Sequence, residues 1–166
     1  EMKEQASRIG LALTGQTPRL APADGVLYAL RDATGTVANV PLIVSSILSK
    51  KIAGGAETIV LDVKCGSGAF MPDLAHAREL ADALAETGKR CGVNVRIAIT
   101  DMDQPLGCAV GNALEVEEAR QVLLGTADSP NADRFRTLCV ELAGITLAAC
   151  GLAKDQEQGR SQTDHA

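Results

Sequence analysis

Aromatic side chains are scarce in this sequence. Tyr28, Phe70 and Phe135 are the only ones in 166 residues, and tryptophan is absent. Base-stacking platforms for single-stranded nucleic acid need aromatic faces, so that class of function is nearly excluded. Positive charge is also short. The formal net charge is −5 at neutral pH, which argues against a binder of phosphate backbones. No apolar run approaches the roughly 20 residues of a membrane span. The opening residues Glu1-Met2-Lys3-Glu4-Gln5 carry none of the apolar stretch of a secretory signal. The five cysteines (Cys65, Cys91, Cys108, Cys139, Cys150) include no Cys-x-x-Cys pair and are odd in number. That pattern suits a reduced compartment with incidental thiols. The expectation is a cytoplasmic protein with neither nucleic acid nor membrane as partner.

What is present is an ordinary globular composition, 46% hydrophobic and 22% charged. The length is enough for one domain with a buried core. That core must be built from Ala, Val, Leu and Ile, packed closely between helices and sheet.

Hydrophobic spacing predicts the elements. Ala6, Ile9 and Leu13 follow Met2 in a modest amphipathic helix over 2–13. Gly15-Gln16-Thr17-Pro18 and Ala21-Pro22-Ala23-Asp24-Gly25 punctuate the chain as loops, with a short helical turn over 27–31 and another loop over 32–36. The clearest helix follows: Val40, Ile43, Val44, Ile47 and Leu48 recur at helical spacing, with Pro41 early and Gly54-Gly55 as the stop. Residues 58–63 are apolar nearly throughout, as in a parallel strand covered by helices. A helix capped by Asp73 and a second strand over 93–99 complete a βαβ unit. Further helices are expected over 114–124 and from Ser129-Pro130 onward. The fold class is therefore α/β, a partial domain with βαβ units and helices packed on a mostly parallel sheet. Residues 1–152 form that unit, and 153–166 read as a disordered or truncated polar tail.

Three constellations could carry chemistry. Ser46 and Lys50 lie four apart on one helix face, and Arg31 precedes them. On a helical wheel with Val40 at zero they fall at roughly 240° and 280°, bordering an apolar stripe from roughly 300° to 80°. A hydroxyl and an ammonium there could meet a planar polar ligand resting on apolar residues. Residue chemistry by itself favours the plainer reading, a filler serine and a snorkelling lysine. The glycine loop Lys64-Cys65-Gly66-Ser67-Gly68 follows a strand, where α/β ligands bind, but it lacks P-loop and dinucleotide spacing and also reads as a tight turn. Asp101 and Asp103 could hold Mg²⁺ or simply be solvated. His76 and His165 have no partners at zinc-ligand spacing, and no Gly-x-Ser-x-Gly nucleophile elbow is present.

Sequence blocks carry the reading further. They are Leu20-Ala21-Pro22-Ala23-Asp24-Gly25-Val26-Leu27-Tyr28-Ala29-Leu30-Arg31-Asp32-Ala33-Thr34-Gly35-Thr36-Val37, Ser45-Ser46-Ile47-Leu48-Ser49-Lys50-Lys51 and Leu61-Asp62-Val63-Lys64-Cys65-Gly66-Ser67-Gly68-Ala69-Phe70-Met71, followed by Asp101-Met102-Asp103-Gln104-Pro105-Leu106-Gly107 and Val110-Gly111-Asn112-Ala113-Leu114-Glu115-Val116. In order and spacing these resemble the thymidine and pyrimidine-nucleoside phosphorylases, from about Gln5 to about Leu152. The resemblance implies a pentosyltransferase of pyrimidine salvage. Phosphate attacks the sugar C1′ of thymidine or uridine, and free base and a pentose 1-phosphate result. It implies that Arg31, Ser46 and Lys50 hold the pyrimidine edge, with Tyr28, Ile43 and Ile47 lining the base pocket. Arg31 and Lys50 would stabilise the leaving base. It further implies inorganic phosphate as co-substrate, no organic cofactor, and a homodimer. A monovalent cation, K⁺, would sit on the Leu106 and Ala109 carbonyls and the Glu118 carboxylate.

The resemblance is partial. The family's phosphate signature, Lys-x-Ser-Gly-Arg-Gly-Leu-Gly-His-Thr-Gly-Gly-Thr, does not occur in this sequence. Ala33 stands where Val is usual and Cys65 where Val or Thr is common. A non-catalytic module that binds a pyrimidine base or a phosphorylase subunit is the alternative. Anthranilate-type phosphoribosyltransferases, using Asp101 and Asp103 with Mg²⁺ and diphosphate, are a more distant one.

Overall fold

The computed structural model describes residues 2–13, 15, 17 and 19–165. Gln16 and Pro18 of the first expected loop lie outside the described residues, as does the side chain of Met2. Helix α1 (Met2–Ile9) ends at Gly10, whose φ of 75° no helix continues, so the expected helix over 2–13 is shorter. Helix α2 (Pro22–Ala33) is longer than the expected turn. Pro22 opens it at the first helical position, a start signal that the neighbouring Asp24 and Gly25 disguise as loop. Asp32 and Ala33, expected in a loop, are its last residues.

Helix α3 (Val40–Ala53) begins where the Asn39 side chain accepts the Leu42 N–H at 3.1 Å. Strand β1 (Thr58–Cys65), helix α4 (Leu74–Arg90) and strand β2 (Asn94–Asp101) form the expected βαβ unit. Asp73 caps α4 by accepting the His76 N–H at 3.0 Å. The strands pair in parallel, Thr58 opposite Asn94 and Cys65 opposite Asp101. Among the described residues the sheet has these two strands.

The core lies on one face of β1. Ile59, Leu61 and Val63 alternate inward and are buried against Val44 and Leu48 of α3 and Ala77, Leu80 and Leu84 of α4. Gly88 permits the close approach of β2: a β-carbon there would stand 2.2 Å from Val95 Cγ2. Helix α5 (Asn112–Leu123) follows, then α6 (Pro130–Ala149), capped by the Ser129 hydroxyl on the Ala132 N–H at 3.1 Å. Helix α6 packs on both strands, and Asn94 Nδ2 donates to the Ala149 carbonyl at 3.1 Å.

The expected disordered tail is instead helix α7 (Gln156–Asp164), packed on α6. It has no apolar stripe, which is why hydrophobic periodicity misses it. Other features hold it. Asp155 caps it, and Arg160 pairs with Glu141 at 3.0 Å. Arg136 pairs with Asp164 at 2.5 Å.

Candidate functional site

A cleft of about 660 Å³ opens between α2, α3 and the carboxyl end of β1. All six residues named for a base pocket line it: Tyr28, Arg31, Ile43, Ser46, Ile47 and Lys50. The fold explains their convergence. Tyr28 and Arg31 stand on α2, and α3 supplies the other four at helical spacing. The far wall is the turn after β1, including Ala69, Phe70 and Met71.

Ser46 lies deeper than the wheel placed it. It is 4% exposed, because α2 packs on the side of α3 that a single apolar stripe would leave to solvent. Lys50 is not a snorkelling side chain. Its ammonium donates to Ser46 Oγ at 3.0 Å and pairs with Asp24 Oδ2 at 3.0 Å. Tyr28 stands close to both cations. Its ring centroid is 5.2 Å from Arg31 Cζ and 5.1 Å from Lys50 Nζ, within cation–π reach of both.

Arg31 is buried, and one of its terminal nitrogens donates to the Val37 carbonyl. Its Nε is a buried donor without a hydrogen-bond partner. Such a group costs about 1–3 kcal/mol unless something accepts from it. The cleft therefore offers donors: a guanidinium, an ammonium with one proton uncommitted and a serine hydroxyl, above aliphatic walls. This set suits a planar ligand that presents carbonyl oxygens.

The glycine loop and the acidic pair are one device. Asp103 Oδ1 accepts the Ser67 N–H at 2.8 Å, and the Gly68 N–H donates to the Met102 carbonyl at 2.9 Å. A β-carbon on Gly68 would meet that carbonyl at 2.7 Å. The Ser67 amide holds the Asp103 carboxyl below the usual carboxylate range. Asp101 accepts the Asp103 N–H at 2.9 Å and pairs with Arg134 at 3.3 Å. The pair is thus hydrogen-bonded and not merely solvated. Among the described residues, no group of three or more His, Cys, Asp or Glu could share a metal ion. Neighbouring Lys64 is held by Asp62 at 2.7 Å and Thr100 at 3.0 Å.

Of the three residues named for a cation, the structure brings Glu118 to Ala109, and it does so through N–H groups. Glu118 reaches the 106–109 turn and accepts the Cys108 N–H at 2.7 Å and the Ala109 N–H at 3.2 Å. His76 is exposed on α4 and paired with Asp73, away from the cleft. Partial burial pushes the Cys139 thiol up, the wrong direction for a nucleophile.

Sequence reasoning missed Asp24, Phe70 and Val37 as parts of this site. Asp24 and Phe70 sit inside the quoted blocks, but neither has a periodic signal. Only the approach of α2 to α3 reveals what Asp24 touches.

Comparison with known proteins gives the family. The family model described as glycosyl transferase family, a/b domain, matches residues 1–166. A pyrimidine-nucleoside phosphorylase of Geobacillus stearothermophilus is 49% identical over 156 residues, 94% of this chain and 35% of that protein. A thymidine phosphorylase of Mus musculus is 46% identical over 162 residues, 98% of this chain and 34% of that protein. A pyrimidine-nucleoside phosphorylase of Staphylococcus aureus (strain USA300) is 58% identical over 128 residues, 77% of this chain and 30% of that protein. The chain spans about a third of the length of these curated relatives.

Proposed function

The chain belongs to the glycosyl transferase family of this a/b domain, and we propose that it supplies the pyrimidine-base site of a nucleoside phosphorylase. The observation that carries this reading is the donor set around Tyr28: Lys50 beside Ser46, and a buried Arg31 Nε with no partner. Thymine and uracil present carbonyl oxygens on a flat ring, and the cleft offers donors over Ile43 and Ile47.

In phosphorolysis a phosphate oxygen forms the new bond to C1′ of the nucleoside. The bond from C1′ to the base nitrogen breaks, and its electron pair leaves with the base. Negative charge thereby spreads onto the base carbonyls. Arg31 and Lys50 fixed beside those carbonyls bind the charged leaving base more tightly than the neutral nucleoside. That difference is what lowers a barrier. The planar fork of Arg31 suits a carbonyl edge in a way an ammonium does not.

A second reading concerns the chain on its own. It would bind the base without turnover. We further propose that the 106–109 turn and Glu118 hold a hard monovalent cation such as K⁺, since oxygen ligands suit such an ion and Glu118 is seated on that turn. We place the protein in the cytoplasm, on its unpaired and scattered cysteines. A homodimer is the assembly that the family likeness suggests.

The test follows thymidine and uridine by ultraviolet absorbance in phosphate buffer, beside a thymine titration. Phosphate-dependent base release supports the enzyme. Thymine binding without release supports the base-binding module. If neither occurs, the base-site reading falls.

A further inference from the structure

We propose that Asp24 is a positioning residue whose carboxylate fixes the Lys50 ammonium at the base cleft. The inference rests on the base-site reading above for its functional part, and on geometry alone for the rest.

An acid in the first turn of a helix ordinarily serves the exposed N–H groups and the positive end of the helix dipole. Asp24 is in the first turn of α2, yet it is buried at 9% exposure, and its carboxylate pairs across to α3. The N-cap of α2 makes no side-chain hydrogen bond. Burying a charge pair gains little stability, because desolvation offsets the attraction. The placement is better explained by what it does to Lys50.

A lysine side chain has four rotatable bonds and one mobile charge. Here Asp24 Oδ2 and Ser46 Oγ, each 3.0 Å from Nζ, take two of its three protons. The third remains for a ligand in the cleft that Lys50 lines. Both partners sit on helices, so the ammonium is held before the ligand arrives. Preorganisation of this kind lowers the ordering cost of binding. Without the carboxylate, Lys50 would be free to swing toward solvent.

The experiment compares the parent chain with Asp24→Asn and Asp24→Glu. Acetylation of Lys50 by an amine-reactive ester is timed by mass spectrometry, with exposed Lys89 as the internal reference. Thymine affinity is titrated in parallel, and far-ultraviolet circular dichroism verifies folding. The expected result is several-fold faster Lys50 acetylation in Asp24→Asn. Thymine affinity falls by about tenfold or more, the size of a lost charged hydrogen bond. Asp24→Glu keeps both near the parent values. A merely structural tie between α2 and α3 would change stability but leave the thymine affinity of the folded variant alone. An unchanged Lys50 rate in folded Asp24→Asn overturns the proposal, as does parity of Lys50 and Lys89 in the parent. Unchanged thymine affinity in that variant overturns its functional part. If the parent binds no thymine, the base-site reading fails by itself, and the Lys50 rate still decides whether Asp24 holds the ammonium. Should Asp24→Asn not fold, Asp24→Ser supplies the same comparison.

Discussion

The carbonyl oxygen of Gly144 lies 2.5 Å from where a β-carbon on Gly159 would stand. Helices α6 and α7 therefore cross backbone against backbone, and both glycines are buried at that crossing. The reverse position is as tight, since a β-carbon on Gly144 would meet the Arg160 N at 2.9 Å. We expect Gly159→Ala to destabilise the chain by about 1–3 kcal/mol, the usual cost of overpacking. Gly25, inside α2 with open space around it, is the control. Gly25→Ala should stabilise by up to about 1 kcal/mol, from helix propensity. Urea unfolding of the two variants against the parent checks both signs.

That crossing also marks the limit of the sequence. The βαβ unit was legible because Ile59, Leu61, Val63 and the α4 face repeat at the periods their elements demand. The tail was not, because α7 is held by two missing side chains and by ion pairs from α6. Neither leaves a hydrophobic period. Arg31, Ser46 and Lys50 could be named from the sequence, and the cleft gathers them. Asp24 could not, since its partner is 26 residues away on another helix. The pairing of Asp103 with Ser67 is equally silent in the sequence, because a solvated and a bonded loop aspartate look alike until the loops meet.

The Asp103–Ser67 bond makes acid stability predictable in sign. The folded-state carboxyl titrates below its ordinary value because it accepts the Ser67 N–H. A group depressed in the folded state contributes stability above its unfolded value, and that contribution is lost as pH falls through the folded value. The Ser67 amide should therefore be protected from hydrogen exchange near neutral pH and lose protection at acid pH. In Asp103→Asn this acid-linked loss should disappear, and the acid limb of the stability curve should be shallower. An unchanged pH dependence of Ser67 exchange in the variant would sink the assignment.

Arg31 and Lys50 should be costly to remove from a complete enzyme that carries this segment. Arg31→Ala and Lys50→Ala should each reduce kcat/KM for thymidine by the equivalent of about 2–4 kcal/mol, the size seen for single preorganised donors. Arg31→Lys should not restore activity, because one ammonium cannot reproduce a planar fork. Near-normal kcat/KM in either alanine variant would remove that residue from the chemistry.

Glu118 and Gly107 offer the test of a cation at the turn. Gly107 has a φ of 75°, and a β-carbon there would stand 2.4 Å from Glu118 Oε2, so the carboxylate is seated against bare backbone. Its oxygens accept the Cys108 and Ala109 N–H groups, which seats the acid on that turn. A ligand that binds only the folded state raises stability by RT ln(1 + [L]/Kd), about 1.4 kcal/mol at ten times Kd. For a domain of this size that is roughly 3–6 °C in Tm. Tm should therefore be higher in potassium chloride than in tetramethylammonium chloride at equal ionic strength, because the bulky ion cannot enter the turn. Glu118→Gln should abolish the difference while keeping the side-chain length. Equal Tm of the parent in the two salts would show that the turn binds no potassium, and that the Glu118 hydrogen bonds alone hold it.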